Sequence, residues 1–216
     1  MARGILILGE SGAGKTTSCR NLDPKETYYC DLDGKGLAWM GWKRQYNAEN
    51  KNYTRIADAG KLMNLLQGIS EKRPEIKVVV LDTLNAIMLN MEMLQRKNNT
   101  FDQWRDLATN IYGLVEMIGG LRDDLTVICI AHSQTDRDDS GYMFTRMKTS
   151  GKKLDKIVVE SKFTTVLLAK GNDGKYIFQT RAKNSTAKTP MGLYDVDEID
   201  NDIVPVIEKL KAFEEG

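Results

Sequence analysis

The chain has 216 residues, 31 Lys+Arg against 30 Asp+Glu, a formal net charge of +1, 41% hydrophobic residues and 28% charged residues. That length supports one sizeable core, and one domain spanning 1–216 is expected. The composition excludes a disordered, collagen-like or disulfide-framework chain, and the near-neutral total argues against histone-like coating of nucleic acid.

Ile5-Leu6-Ile7-Leu8 is a short, continuous apolar run, as expected of a strand buried on both faces, and it leads directly into glycines rather than a cleavage site. A helix is predicted from Lys15 to Asn21, stopping before Pro24. A second strand, Thr27 to Asp31, closes in Asp-Leu-Asp-Gly, and after an irregular stretch with glycines and tryptophans, Ala57 to Ile69 has helical spacing. A third strand, Lys77 to Leu81, ends at Asp82. Thr100-Phe101-Asp102-Gln103 fits a capping box, and the helix it opens should end near Gly119-Gly120. The fourth strand, Leu125 to Ala131, finishes in His132-Ser133-Gln134.

Strands alternating with helices to this point predict βαβ units and a parallel sheet. Phe163 to Lys170 and Lys175 to Thr180 are β-rich runs separated by Gly171-Asn172-Asp173-Gly174, which predicts a hairpin and an antiparallel edge. Ile203 to Phe213 completes the chain with an amphipathic helix. Cys19, Cys30 and Cys129 are odd in number and widely spaced, and they read as reduced core residues of a cytoplasmic protein. No apolar run approaches the ~20 residues that span a bilayer.

Gly9-Glu10-Ser11-Gly12-Ala13-Gly14-Lys15-Thr16 is a full P-loop pattern between a strand and a predicted helix. The glycines let backbone amides turn towards phosphate oxygens, Lys15 brings positive charge to the β- and γ-phosphates, and Thr16 is placed to ligate magnesium. Thr17 adds a further phosphate contact. The nucleotide is expected to be ATP, although a P-loop reads phosphates and leaves ATP against GTP open.

Asp82, at the end of an apolar strand, has the position of a Walker B aspartate holding the metal with Thr16, or alternatively of a helix N-cap. Hydrolysis also needs a group that orients or deprotonates water. Asp33, with Asp31 just before it, is the candidate, on the expectation that the second strand lies beside the P-loop; the alternative is a simple turn. His132 is the candidate γ-phosphate sensor and Gln134 the runner-up.

These residues resemble the RecA-type ATPase core, through the P-loop, the Asp-ended third strand, the polar residue after the fourth strand and the hairpin followed by Arg181-Ala182-Lys183. More closely, the chain resembles small phage-encoded AAA/RecA-like ATP-binding proteins associated with recombination. The supporting stretches include Asn21 to Thr27, Gly41-Trp42-Lys43, Thr149 to Asp155 and Ala187 to Gly192. The resemblance implies a mostly parallel α/β sheet with helices on both faces, and magnesium-dependent ATP hydrolysis coupled to single-stranded DNA binding or annealing in phage recombination or replication, in the host cytoplasm. It further implies a homo-oligomer in which Arg181 and Lys183, with Lys188 in reserve, reach a neighbouring subunit's γ-phosphate. Asp33 stands where the family usually has glutamate, which predicts slow hydrolysis.

Between Met143 and Lys162 there are six bases, Arg146, Lys148, Lys152, Lys153, Lys156 and Lys162, against Asp155 and Glu160, with Tyr142 and Phe144 at the start. A loop over 142–162 is therefore the candidate contact for single-stranded DNA, through phosphates and base stacking. The acidic stretch Asp195 to Asp202 is expected to cap and flank the last helix. A small-molecule or nucleotide kinase is the alternative enzyme, although kinases usually carry an arginine-rich lid, and a nucleotide-gated binding module is the alternative without turnover.

Overall fold

The computed structural model describes residues 1–95, 103–137, 139–149 and 158–216. Nine strands among these residues form one mixed sheet. In chain order they are β1 (Arg3–Gly9), β2 (Thr27–Asp31), β3 (Tyr53–Thr54), β4 (Val78–Asp82), β5 (Thr126–Arg137), β6 (Met143–Met147), β7 (Thr165–Asn172), β8 (Lys175–Gln179) and β9 (Glu198–Asp200). The helices are α1 (Trp42–Gln45), α2 (Ala59–Lys72), α3 (Leu84–Gln95), α4 (Gln103–Gly119) and α5 (Ile203–Glu215).

The strand order is β3-β2-β4-β5-β1-β7-β8-β9, with β6 paired to the outer part of β5. The six strands from β3 to β7 run parallel, and β8 and β9 add the antiparallel edge. This is the α/β P-loop NTPase architecture that the sequence predicts. The hairpin turn lies at Asp173-Gly174, both with positive φ, which suits the twist of a two-residue connection.

Alternation along the buried strands divides the core into two faces. Leu6, Leu8, Val79, Leu81, Val127 and Cys129 pack against α2, α3 and α4. Ile5, Ile7, Val80, Ile128, Ile130 and Leu167 face the other way, towards Ile203, Val206, Ile207 and Leu210 of α5. Cys19, Cys30 and Cys129 are buried free thiols, and burial pushes the Cys129 thiol up to about 12. Among the described residues, no helix is long and apolar enough to cross a membrane.

Three expectations need correction. The helix predicted over Lys15 to Asn21 is reduced to a single 3-10 turn, Thr17–Cys19. Here the Ser18 hydroxyl donates to the Lys15 carbonyl at 2.6 Å and Asn21 donates to Asp202 at 2.6 Å, so polar side chains compete with helix propagation. Second, β2 does not lie beside the P-loop strand, because β4 and β5 intervene. Third, the fourth strand runs on to Arg137, and part of the expected 142–162 loop is strand β6 folded back on it. The capping box at Thr100 to Asp102, and Lys152, Lys153 and Lys156, lie outside the described residues.

Candidate functional site

β1 delivers the chain to the P-loop at Gly9, where a Cβ would lie 2.8 Å from the Ala169 carbonyl oxygen on β7, so only glycine lets the two strands meet. Gly14 has φ +87° and would bring a Cβ to 3.0 Å from the Tyr176 ring. Lys15 is buried, and its ammonium donates to the carbonyls of Gly9 at 2.8 Å and Glu10 at 2.7 Å. Burial lowers its pKa to about 8, with the negative field of Asp82 opposing that shift.

Thr16 meets the end of β4. Its hydroxyl donates to Asp82 Oδ2 at 2.7 Å, and the buried Tyr29 hydroxyl donates to the same oxygen at 2.8 Å. Asp82 Oδ1 is buried with no hydrogen-bond partner among the described residues. Burial raises the Asp82 pKa, although the Thr16 hydroxyl and Lys35 pull it back. No cluster of three or more His, Cys, Asp and Glu side chains suited to a metal occurs among the described residues.

The parallel register puts His132 opposite Gly9, beside the start of the loop. Its main-chain N–H donates to Asn85 Oδ1 at 2.7 Å, and Asn85 Nδ2 donates to the Lys148 carbonyl at 2.8 Å. Burial, and then Lys15, hold the imidazole below its ordinary pKa, so it is neutral at pH 7. The runner-up Gln134 lies two residues further out on β5 and turns to Asp136 at 3.2 Å.

A cavity of about 830 Å³ joins these parts, lined by Gly12, Gly14, Lys15, Thr16, Thr17 and His132 on the phosphate side. Four groups that sequence reading missed also line it: Arg20, Lys35, Tyr176 and the segment Asp200 to Asp202 with Pro205. Lys35 looks like an ordinary surface lysine between glycines, and no motif marks it. Its ammonium lies 2.6 Å from Asp33. Desolvation lowers the pKa of Lys35, but the Asp33 contact and the fields of Asp82 and Asp31 outweigh it and leave the group above its ordinary value.

Asp31 and Asp33 stand in different surroundings. Asp31 is buried and accepts from the Gly34 N–H at 2.9 Å, the Gly36 N–H at 2.8 Å and the Tyr53 hydroxyl at 2.7 Å, which fixes the loop carrying Lys35. Asp33 accepts from the Thr83 hydroxyl at 3.0 Å and lines a second cavity of about 440 Å³, which His132 also lines.

The remaining candidates sit apart. Arg181 and Lys183 follow β8, which runs antiparallel to β7 and carries the chain away from the P-loop end of the sheet. They pair with Asp197, at 3.4 Å and 3.0 Å, and do not line the P-loop cavity of their own chain. In the expected basic loop, Arg146 pairs with Asp136, and Lys162 lies 2.7 Å from Glu116. Glu160 is buried and accepts from the Met147 N–H at 2.7 Å. Lys148 is exposed, and its N–H donates to the His132 carbonyl at 2.7 Å.

No curated protein sequence matches the chain. A family model described as an AAA domain matches residues 1–190, the stretch that holds the P-loop, Asp82 and His132. With that match over most of its length, the chain belongs to the AAA domain family, an AAA-type family of P-loop ATPases.

Proposed function

We propose that the protein binds a magnesium–ATP complex in the P-loop cavity and hydrolyses it, and that single-stranded DNA stimulates the turnover. The observation that carries this reading is the 2.7 Å contact between Thr16 and Asp82 at the foot of a loop holding a buried lysine. An unpartnered, desolvated carboxylate oxygen beside a hydroxyl suits a hard cation with oxygen ligands, so Thr16 and Asp82 would hold magnesium, Asp82 directly or through water. When bound, the ion neutralises phosphate charge and orients the β- and γ-oxygens.

The chain's own groups do the rest. Lys15 exchanges its two carbonyls for phosphate oxygens, and neutral His132 donates one N–H to the γ-phosphate. Lys35 leaves Asp33 for the same phosphate, and the freed Asp33 carboxylate accepts the proton of the attacking water. A carboxylate bound to both Lys35 and Thr83 is a poor base, which supports slow turnover without an activator.

The DNA part of the proposal is supported by the resemblance to phage recombination ATPases and by the β5–β6 hairpin, which carries exposed Tyr142 and Lys148 and is bonded at its base to His132. The same resemblance supports a homo-oligomer in which Arg181 and Lys183 act on the next copy.

Phosphate release measured with and without single-stranded DNA tests the reading. The expected result is slow release, stimulated by DNA, that falls about 100-fold or more in Lys15→Ala. Transfer of the γ-phosphate to a nucleoside acceptor would identify a kinase, and ATP binding without release under any DNA condition would identify a gated binding module.

A further inference from the structure

β4 and β5 separate β2 from the P-loop strand, yet β2 sends one side chain to the foot of the loop. Tyr29 is fully buried in the middle of β2, and the parallel register sets it opposite Val80. Asp82 lies two residues further along β4, and so on the same face of the sheet. The Tyr29 hydroxyl reaches forward to Asp82 Oδ2 at 2.8 Å, the oxygen to which Thr16 donates at 2.7 Å.

A carboxylate turns readily about its terminal bond, and with Thr16 as its sole donor Asp82 could accept through either oxygen. The second donor removes that freedom. Both hydroxyls meet on Oδ2, whereas Oδ1 has no partner among the described residues, so turning the carboxylate would break the Tyr29 bond. Tyr29 cannot follow such a turn, because its ring packs edge-on against Tyr46 and Trp39, with centroids 5.5 Å and 6.0 Å away. Asp82 therefore keeps one oxygen aimed at Thr16. A threonine hydroxyl has one proton and two lone pairs, and with the proton given to Asp82 the lone pairs are left for a cation.

From this geometry we infer that Tyr29 is a positioning residue for the magnesium site: it holds the Asp82 carboxylate so that Thr16 presents its oxygen lone pairs to the ion. The inference rests on the magnesium–ATP reading above and adds to it a residue that lies outside the P-loop and outside the strand ending in Asp82. Tyr29 acts through Asp82 and Thr16, and removing such an outer partner of metal ligands typically costs about 10- to 100-fold in metal affinity.

Calorimetric titration of ATP into the full chain, once with magnesium and once with EDTA, isolates the metal's share of the affinity. Tyr29→Phe keeps the ring and its packing and deletes only the hydroxyl. It should reduce the strengthening by magnesium about tenfold and leave ATP affinity in EDTA unchanged, whereas a purely structural role would lower both or neither. Added to Thr16→Ala, the same substitution should weaken magnesium–ATP by less than about twofold more, since Thr16 is the group through which it acts. Thermal melts identify a variant that does not fold. In that event the wild-type chain carrying meta-fluorotyrosine gives the reading without any substitution. Tyr29 and Tyr46 are the fully buried tyrosines among the described residues, and one fluorine resonance without a solvent isotope shift should move when magnesium joins ATP.

A Tyr29→Phe protein that keeps the wild-type ratio of affinities in magnesium and EDTA overturns the role of Tyr29 while the nucleotide reading stands. So do losses that multiply in the double variant, or solvent-shielded resonances that stay in place. A wild-type protein that binds ATP equally in magnesium and in EDTA overturns the magnesium reading itself, and the role of Tyr29 with it.

Discussion

The chemistry depends first on how much charge the loop carries before any nucleotide arrives. Lys15 with a pKa of about 8 is mostly protonated at pH 7, and phosphate oxygens raise that pKa on binding. Binding therefore takes up a proton once the free protein has begun to lose it. ATP affinity should fall as pH rises through about 8, with proton uptake visible as a buffer-dependent binding enthalpy; a flat affinity from pH 7 to 9.5 would contradict the assignment. His132 is held below its ordinary value in the free protein, by burial first and then by Lys15, so the loss of charge near pH 8 belongs to Lys15. The Lys35–Asp33 pair makes a different prediction, because its exchange occurs after binding. Lys35→Ala should lower kcat about tenfold or more with KM changed little, and Lys35→Arg should restore part of it; a change confined to KM would sink the exchange. Lys15, Thr16 and Asp82 were legible because a P-loop and an Asp-ended apolar run are defined by short spacings. Lys35 was not, because it reaches the cavity only through the turn that Asp31 fixes with two glycine amides.

Among the elements, α3 and β5 do the most to place His132, and they are where sequence reading was weakest. Continuous apolar runs located β1, β4 and the inner part of β5 because these strands are buried on both faces. The outer part of β5, from His132 to Arg137, alternates between more and less exposed residues and becomes a strand only through pairing with β6, a contact no local pattern announces. The failed P-loop helix has the same kind of cause, since Asn21 and Arg20 bond to a segment 181 residues away. Asn85, at the start of α3, ties the two halves of the hairpin base together. Asn85→Ala would leave the His132 N–H without its acceptor and should cost about 1–3 kcal/mol in urea unfolding. Asn85→Asp keeps that acceptor and loses only the donor to Lys148, so it should fall between the two. Equal stability for wild type and Asn85→Ala would show that the brace contributes nothing.

For the assembled protein, the near balance of 31 bases and 30 acids conceals local pairing. Arg146 and Lys162 are matched by Asp136 and Glu116, and Asp197 holds both Arg181 and Lys183. The finger candidates thus lie in an ion-pair cluster away from their own P-loop, and a catalytic role for them requires a second copy of the chain. That requirement can be tested by complementation. A Lys15→Ala chain lacks a working loop and keeps its finger, whereas an Arg181→Ala, Lys183→Ala chain keeps the loop and lacks the finger. Each alone should release phosphate slowly, and mixing them should restore turnover, because some interfaces then join an intact loop to an intact finger. The restored rate should depend on protein concentration and fall with salt, since an exposed cation pair must leave Asp197 to meet the neighbour's phosphate. Wild-type turnover in the double variant, or a mixture no faster than the average of its parts, would place both residues in the surface ion-pair cluster and nowhere in the reaction.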